Sequence, residues 1–337
     1  MFSSESRDCY DVDDSDSKEA VMNAILVPLD GSSFSEHALP VALGVAQRAG
    51  AMLALAHVHT TPVHYGIEGL AVIDTETDDI NRTAEQAYLD GIVLRLSGAL
   101  PRPVTTRLLD GPVADALQDY AAAINADLIV MTTHGRGLFS RMWLGSVADA
   151  LVRQSTVPII LVRPKPDETQ PMPVPAPVTF HHILVPLDGS PLAERMLARA
   201  AHFATIMGAK LTLLMAVEPS LTRYVAGVED EILATATQEA RTYLDRMAAP
   251  LRAQGLSVET FVSVEPPAAA ILDYAATHDC DLIAMETHGH GGISRLLLGS
   301  VTDKVVRAAH IPILVHCSHQ SDTKQPGRAE HTAAPAR

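Results

Sequence analysis

Apolar residues along this chain follow two alternating patterns. The first is a short unbroken run, as in "AILVPLD" (residues 24–30), "MLALAHV" (52–58), "VTTRLLDG" (104–111), "DLIVMTTH" (127–134) and "VPIILV" (157–162). Runs of this length ending in turn residues are what parallel strands buried on both faces require. The second pattern spaces apolar residues three or four apart. It predicts amphipathic helices over "SFSEHALPVALGVAQRAG", over roughly Thr77 to Leu100, over "PVADALQDYAAAINA" and over "GSVADALVRQS". Ser33 and Glu36 have capping-box spacing, Gly50 sits at a helix stop, and Pro112 suits a first turn. Strand and helix alternate, so the expected fold class is α/β, an open five-stranded parallel doubly wound sheet with helices on both faces.

The pattern then repeats. "ILVPLDGS" begins at Ile25 and again, letter for letter, at Ile183. "DLIVMTTHGRGLFSRMWLGSVADALVRQSTVPIILV" begins at Asp127, and "DLIAMETHGHGGISRLLLGSVTDKVVRAAHIPILV" begins 154 residues later at Asp281. Units this long are two homologous domains rather than solenoid repeats. The expected division is a polar acidic tail over 1–20, a first domain over 21–163, a linker over 164–179, a second domain over 180–317 and a polar tail over 318–337. Six prolines in "PKPDETQPMPVPAPVT" make the linker semi-extended. Both tails lack periodicity and are expected to be disordered.

Composition narrows the function. The net charge is −15, and residues 1–20 alone hold seven acids and two bases. A nucleic-acid or anionic-membrane partner needs a basic stripe, so neither is expected. No apolar run is long enough to cross a bilayer, and no secretory signal is visible. Cys9, Cys280 and Cys317 lack metal-like spacing, which fits a reducing cytoplasm.

In doubly wound sheets, ligands bind beyond the carboxyl ends of the strands. Two motifs fall there: Pro28-Leu29-Asp30-Gly31-Ser32, and Met131-Thr132-Thr133-His134-Gly135 followed after nine residues by Gly145-Ser146. Gly145-Ser146 opens a predicted helix, whose first N–H groups and positive dipole end suit a phosphate. Plainer readings stand beside this one. Gly135 reads also as a turn glycine, Ser146 as an N-cap, and Asp30 as bonded to its own turn. His134 and His288 read first as backbone-bonded structural residues, and Arg141 and Arg295 as solvent-facing.

These motifs resemble those of tandem universal stress proteins, and the resemblance covers both domains. The ATP-binding pattern Gly-x2-Gly-x9-Gly-Ser is matched by Gly135 and Gly145-Ser146, and again by Gly289 and Gly299-Ser300; its first glycine is replaced by Thr132 and by Glu286. The resemblance implies a Rossmann-like fold and an adenine nucleotide in each domain. Adenosine would lie against Pro28, Asp30, Val58 and Met131. The phosphates would meet Thr132, Gly135, Arg136, Gly145, Ser146 and the Val147 amide. The second set is Pro186, Asp188, Val217, Met285, Gly289, Gly299, Ser300 and Val301.

Thr132 is small and neutral, whereas Glu286 sets a carboxylate where a triphosphate would lie, repelling it unless Mg²⁺ bridges them or the side chain turns away. Arg136 is replaced by His290. Domain 1 is therefore expected to bind ATP better than domain 2. The resemblance also implies that the final strands "VPIILV" and "IPILV" pair across a two-fold axis, giving an intramolecular pseudo-dimer open to further homodimerisation. The expected function is a cytoplasmic, ATP-binding, nucleotide-responsive regulator of stress survival. No nucleophile–base pair lies near either glycine motif, so no catalytic residue is assigned. The alternatives are a slow ATPase and a stress protein acting through protein contacts alone.

Overall fold

The five apolar runs of the first repeat form β1 (Ala24–Pro28), β2 (Met52–His59), β5 (Thr105–Asp110), β6 (Leu128–Thr132) and β7 (Ile159–Val162). Those of the second form β8 (His182–Pro186), β9 (Lys210–Ala216), β10 (Val258–Ser263), β11 (Leu282–His288) and β12 (Ile313–Ser318). This computed structural model describes residues 22–61, 63–65, 71–133, 144–163, 176–218, 229–288 and 299–318. Both tails, most of the linker, and Gly135, Arg136, Gly289, His290, His134, Arg141 and Arg295 lie outside the described residues.

Among the described residues, ten strands make one sheet in the order β10-β9-β8-β11-β12-β7-β6-β1-β2-β5. Within each repeat the pairing is parallel, with the order reversing beside the first strand. The repeats meet at β12 and β7, which pair antiparallel with Ile313 opposite Leu161 and Val315 opposite Ile159. Each last strand thus covers the other's exposed edge, which would otherwise invite intermolecular pairing.

Alternation along the strands sorts the core into two layers. Ile25, Val27, Leu53 and Leu55 face α2 (Leu39–Ala49), α3 (Thr75–Leu96), α6 (Pro191–Met207) and α7 (Glu229–Ala253). Leu26, Ala54, Ala56 and Ile129 face α4 (Val113–Ala123), α5 (Ser146–Gln154), α8 (Pro267–Thr277) and α9 (Ser300–Ala308). Each layer contains buried residues of both repeats, so the apolar core runs through the junction.

Three local expectations are revised. The first helix is broken into α1 (Ser33–Glu36) and α2. Pro40 has no N–H to donate back toward Glu36, so the helical ladder is interrupted at His37–Ala38 and α2 restarts with Pro40 in its first turn. The cap of α1 is Ser32 rather than Ser33, with its Oγ accepting from the Ser35 amide at 3.3 Å. The third helix runs Thr75–Leu96 instead of Thr77 to Leu100, because the Asp74 carboxylate caps it by accepting from the Thr77 amide at 3.2 Å. Between β2 and α3 lies a small hairpin, β3 (Val63–Tyr65) with β4 (Ala71–Ile73), that no periodicity announced.

The linker's end is tied down. The Val178 amide donates to the Pro40 carbonyl at 2.9 Å as the chain crosses α2 at Gly44. A methyl group on Gly44 would sit 1.7 Å from the Val178 carbonyl oxygen, so glycine is required by close approach. Phe180 follows, fully buried, with its ring centroid 5.7 Å from that of Phe203.

Candidate nucleotide cleft

The carboxyl ends of β1, β2 and β6 open into a cleft of about 840 Å³ in the first domain. Pro28, Asp30, Val58, Met131, Thr132, Gly145, Ser146 and Val147 all line it. The cleft therefore brings together the predicted first-domain residues that fall within the described chain.

At one end stands α5. The Gly145 amide is already used, donating to the Thr133 carbonyl at 2.8 Å, and no side chain among the described residues caps the helix. The next first-turn donors are those of Ser146 and its successors, which an α-helix leaves without a partner inside the helix. Gly145 has φ −64°, which any residue adopts, so its backbone conformation does not require glycine. Gly299, its counterpart in domain 2, has φ +89°. Glycine is required there by the backbone itself.

Asp30 holds its own turn. Its Oδ1 accepts from the Ser32 amide at 2.9 Å and from the Ser32 hydroxyl at 2.5 Å, across Gly31 at φ +79°. Asp188 does the same for the Ser190 amide at 2.9 Å. The plainer reading of this residue is therefore correct as far as Oδ1 goes, while Asp30 still borders the cleft.

The opposite end holds charge that the sequence reading did not assign. His57 and His59 point from β2 toward α3. His59, buried, places Nδ1 2.7 Å from Glu85 Oε2 and Nε2 2.9 Å from Asp78 Oδ1. His57 Nε2 lies 3.5 Å from Glu85 Oε1. Arg82 bonds Asp78 at 3.1 Å and forks onto Asp110 at the end of β5. Burial pushes the His59 imidazole down, and its bonds to Asp78 and Glu85 more than reverse this, leaving it above its ordinary value. The His59 bond, with help from Arg82, lowers Asp78, and Arg82 lowers Asp110. A signal existed: two histidines two apart in an apolar strand, with Asp78, Arg82 and Glu85 sharing one helical face. Their meeting depends on how α3 docks.

Domain 2 lacks this constellation. Sheet register makes Met215 the counterpart of His57 and Ala216 that of Val58, so Val217 stands where His59 does. Laying α7 on α3 with Tyr243 on Tyr88, Leu244 on Leu89 and Leu251 on Leu96 puts Leu233, Thr237 and Ala240 where Asp78, Arg82 and Glu85 stand. Val264 replaces Asp110. Of the predicted second-domain residues, Pro186 ends β8, Met285 sits at the centre of β11, Asp188 is exposed, and Gly299, Ser300 and Val301 open α9, while the expected place of Val217 as the counterpart of Val58 is corrected to Ala216.

Glu286 resolves one expectation. Its carboxylate is buried and turned to β12, where His316 Nδ1 lies 3.0 Å from Oε1. His316 Nε2 reaches the Thr156 carbonyl of domain 1 at 3.2 Å. The residue therefore belongs to the domain junction.

Comparison with known proteins agrees with this architecture. The family model described as "Universal stress protein family" matches twice, over residues 22–163 and 179–316. The chain belongs to the universal stress protein family. Universal stress protein Rv2005c of Mycobacterium tuberculosis is 32% identical over 192 residues, covering 56% of this chain and 61% of that protein. The chain thus matches about six-tenths of the length of such curated relatives. A universal stress protein from Archaeoglobus fulgidus has a solved structure matching at a TM-score of 0.61 and 21% identity, over 90% of this chain and 99% of its own. A universal stress protein in complex with cAMP matches at a TM-score of 0.35 and 24% identity, over 43% of this chain and 100% of its own. No helix among the described residues is long and apolar enough to cross a membrane.

Proposed function

We propose that this universal stress protein binds an adenine nucleotide, ATP first, in the domain 1 cleft, and that occupancy regulates its part in stress survival. The observation carrying this reading is the first turn of α5, without a side-chain cap among the described residues, opening onto a cleft whose walls include Pro28, Val58 and Met131. Unpaired amides and the helix dipole attract phosphate, and the apolar walls take a base. Each amide bonded to a charged phosphate contributes about 1.5–3 kcal/mol, so a few reach the roughly 8 kcal/mol of micromolar binding. Gly135 and Arg136 belong to the proposed phosphate end, with Mg²⁺ accompanying the triphosphate. Domain 2 is the weaker site, built from Pro186, Asp188, Met285, Gly289, Gly299, Ser300 and Val301. The Glu286 reason for that ranking is replaced by another: domain 2 lacks the polar wall. The protein works in the cytoplasm as a regulator, with at most slow hydrolysis, and a homodimer of the tandem chain is part of the reading.

The test is direct. Purified protein is heat-denatured and the supernatant chromatographed for nucleotides, with calorimetric titration of ATP, AMP and cAMP alongside. Bound adenine nucleotide or micromolar ATP affinity supports the reading. An empty supernatant with silent titrations leaves the protein-contact alternative in its place.

A further inference from the structure

The domain 1 cleft has two ends of opposite character. The α5 turn follows β6, while His57, Thr60 and Glu85 gather at β2. β1 lies between β6 and β2, so the two ends stand two strand spacings apart, about 10 Å. One end donates hydrogen bonds. The other presents a carboxylate.

Glu85 is suited to receive a ligand. Its side chain is 21% exposed and lines the cleft. Oε2 is engaged by His59 at 2.7 Å, which orients the carboxylate, while Oε1 has His57 Nε2 at the longer distance of 3.5 Å. Beside it, His57 is only 5% exposed, borders the cleft, and its Nδ1 has no hydrogen-bond partner among the described residues. A buried orphan nitrogen on a cleft wall points to an occupant that completes it.

We propose that Glu85 is a specificity-determining residue of this cleft: it accepts a hydrogen bond from an amino group on the base of a nucleotide whose phosphates sit at α5. His59 is the positioning residue behind it, and His57 completes the polar wall. This rests on the nucleotide reading above and adds to it the choice of base. A carboxylate accepts from the 6-amino group of adenine and opposes a 6-oxo oxygen at the same place. Domain 2 offers Ala240 and Met215 instead, so it reads no base in this way.

The experiment titrates the full chain with ATP, ITP and inorganic tripolyphosphate. Wild type is expected to prefer ATP over ITP. Glu85→Ala should weaken ATP about tenfold, the loss of one charge-assisted bond, and leave tripolyphosphate within twofold. Glu85→Gln, whose amide also donates, should shrink the ATP-over-ITP preference at least about fivefold. His57→Met, which installs the domain 2 residue, should weaken ATP and spare tripolyphosphate. If Glu85→Ala weakens ATP and tripolyphosphate by the same factor, the residue only props the cleft and the inference falls. If ATP binding by the wild type is strong but indifferent to all three changes, the inference falls alone. If the wild type binds neither ATP nor tripolyphosphate, the nucleotide reading falls, and the inference with it.

Discussion

The two domains share strand order, a turn held by an aspartate, and a helix opened by Gly-Ser, yet they differ at the wall facing α3 or α7. Domain 1 sets His57, His59, Asp78, Arg82, Glu85 and Asp110 there. Domain 2 sets Met215, Val217, Leu233, Thr237, Ala240 and Val264. Six polar or charged positions become five apolar ones and a threonine without disturbing the sheet. The fold therefore does not need this network, since the burial of Leu89, Ile92 and Leu96, or of Leu244 and Leu251, docks the helix in either case. What the network adds is a polar lining, and that lining distinguishes the clefts.

The sharpest way to break this contrast is to place a carboxylate at each helix opening. Ser146→Glu and Ser300→Glu both sit at a helix's first residue, where an acid favours the helix dipole and folding is spared. Glycine substitutions serve less well, because Gly299 is at positive φ and its replacement would strain the backbone regardless of ligand. Calorimetry should show Ser146→Glu weakening ATP by about a hundredfold, roughly 2.7 kcal/mol, with Ser300→Glu within twofold. Equal losses would refute the ranking of the domains.

Gly44→Ala probes a second asymmetry. Its methyl would collide with the Val178 carbonyl, whereas the matching position of α6 carries His202 and accommodates a side chain. The expected loss is about 2 kcal/mol, the scale of overpacking, read as a lower Tm. His202→Ala should move Tm little. A neutral Gly44→Ala would mean that the linker does not cross α2 so closely.

Proton linkage separates the walls more gently. His59 has a raised native pKa, so its contribution to stability is full below its unfolded value near 6.5 and is lost as pH rises through the native value. Thermal melts from pH 6 to 8 should therefore show domain 1 losing stability toward the alkaline side. His59→Val, the domain 2 residue, should flatten that slope, and a slope unchanged in the variant would assign it elsewhere. The smallest effect expected is Gly91→Ala within α3, where a methyl meets nothing within 4 Å. A gain of about 0.5–1 kcal/mol follows from helix propensity alone, measurable by denaturant unfolding.

Much of the fold was legible before the structure. "AILVPLD" and "VPIILV" are short, apolar and β-branched, and such runs have few alternatives to a buried strand. The break between α1 and α2 was missed, because the apolar spacing runs on through it and Pro40 fits the first turn of a new helix as well as it ends an old one. The β3–β4 hairpin was missed too, because three-residue strands carry too little periodicity. In the candidate site, Gly145, Ser146 and Asp30 announced themselves by local motif. Glu85 did not. It lies 26 residues from His59, and the two meet only when α3 docks on β2. Glu286 misled for the same reason, since its partner His316 is 30 residues away on another strand.

By itself the sequence determined that this chain builds one α/β unit twice, with a turn and a glycine-opened helix at the carboxyl edge of each sheet. Those features depend on neighbours a few residues apart, where side-chain volume, hydrogen-bonding capacity and backbone freedom act locally. The tertiary structure decided the register in which β12 meets β7, that Ala216 rather than Val217 corresponds to Val58, that Glu286 faces the junction, and that among the described residues paired histidines and acids line the cleft of domain 1 and not that of domain 2. Those outcomes come from strand register and helix docking. A shift of one residue in either turns a side chain to the other face, and no local pattern records which face that is.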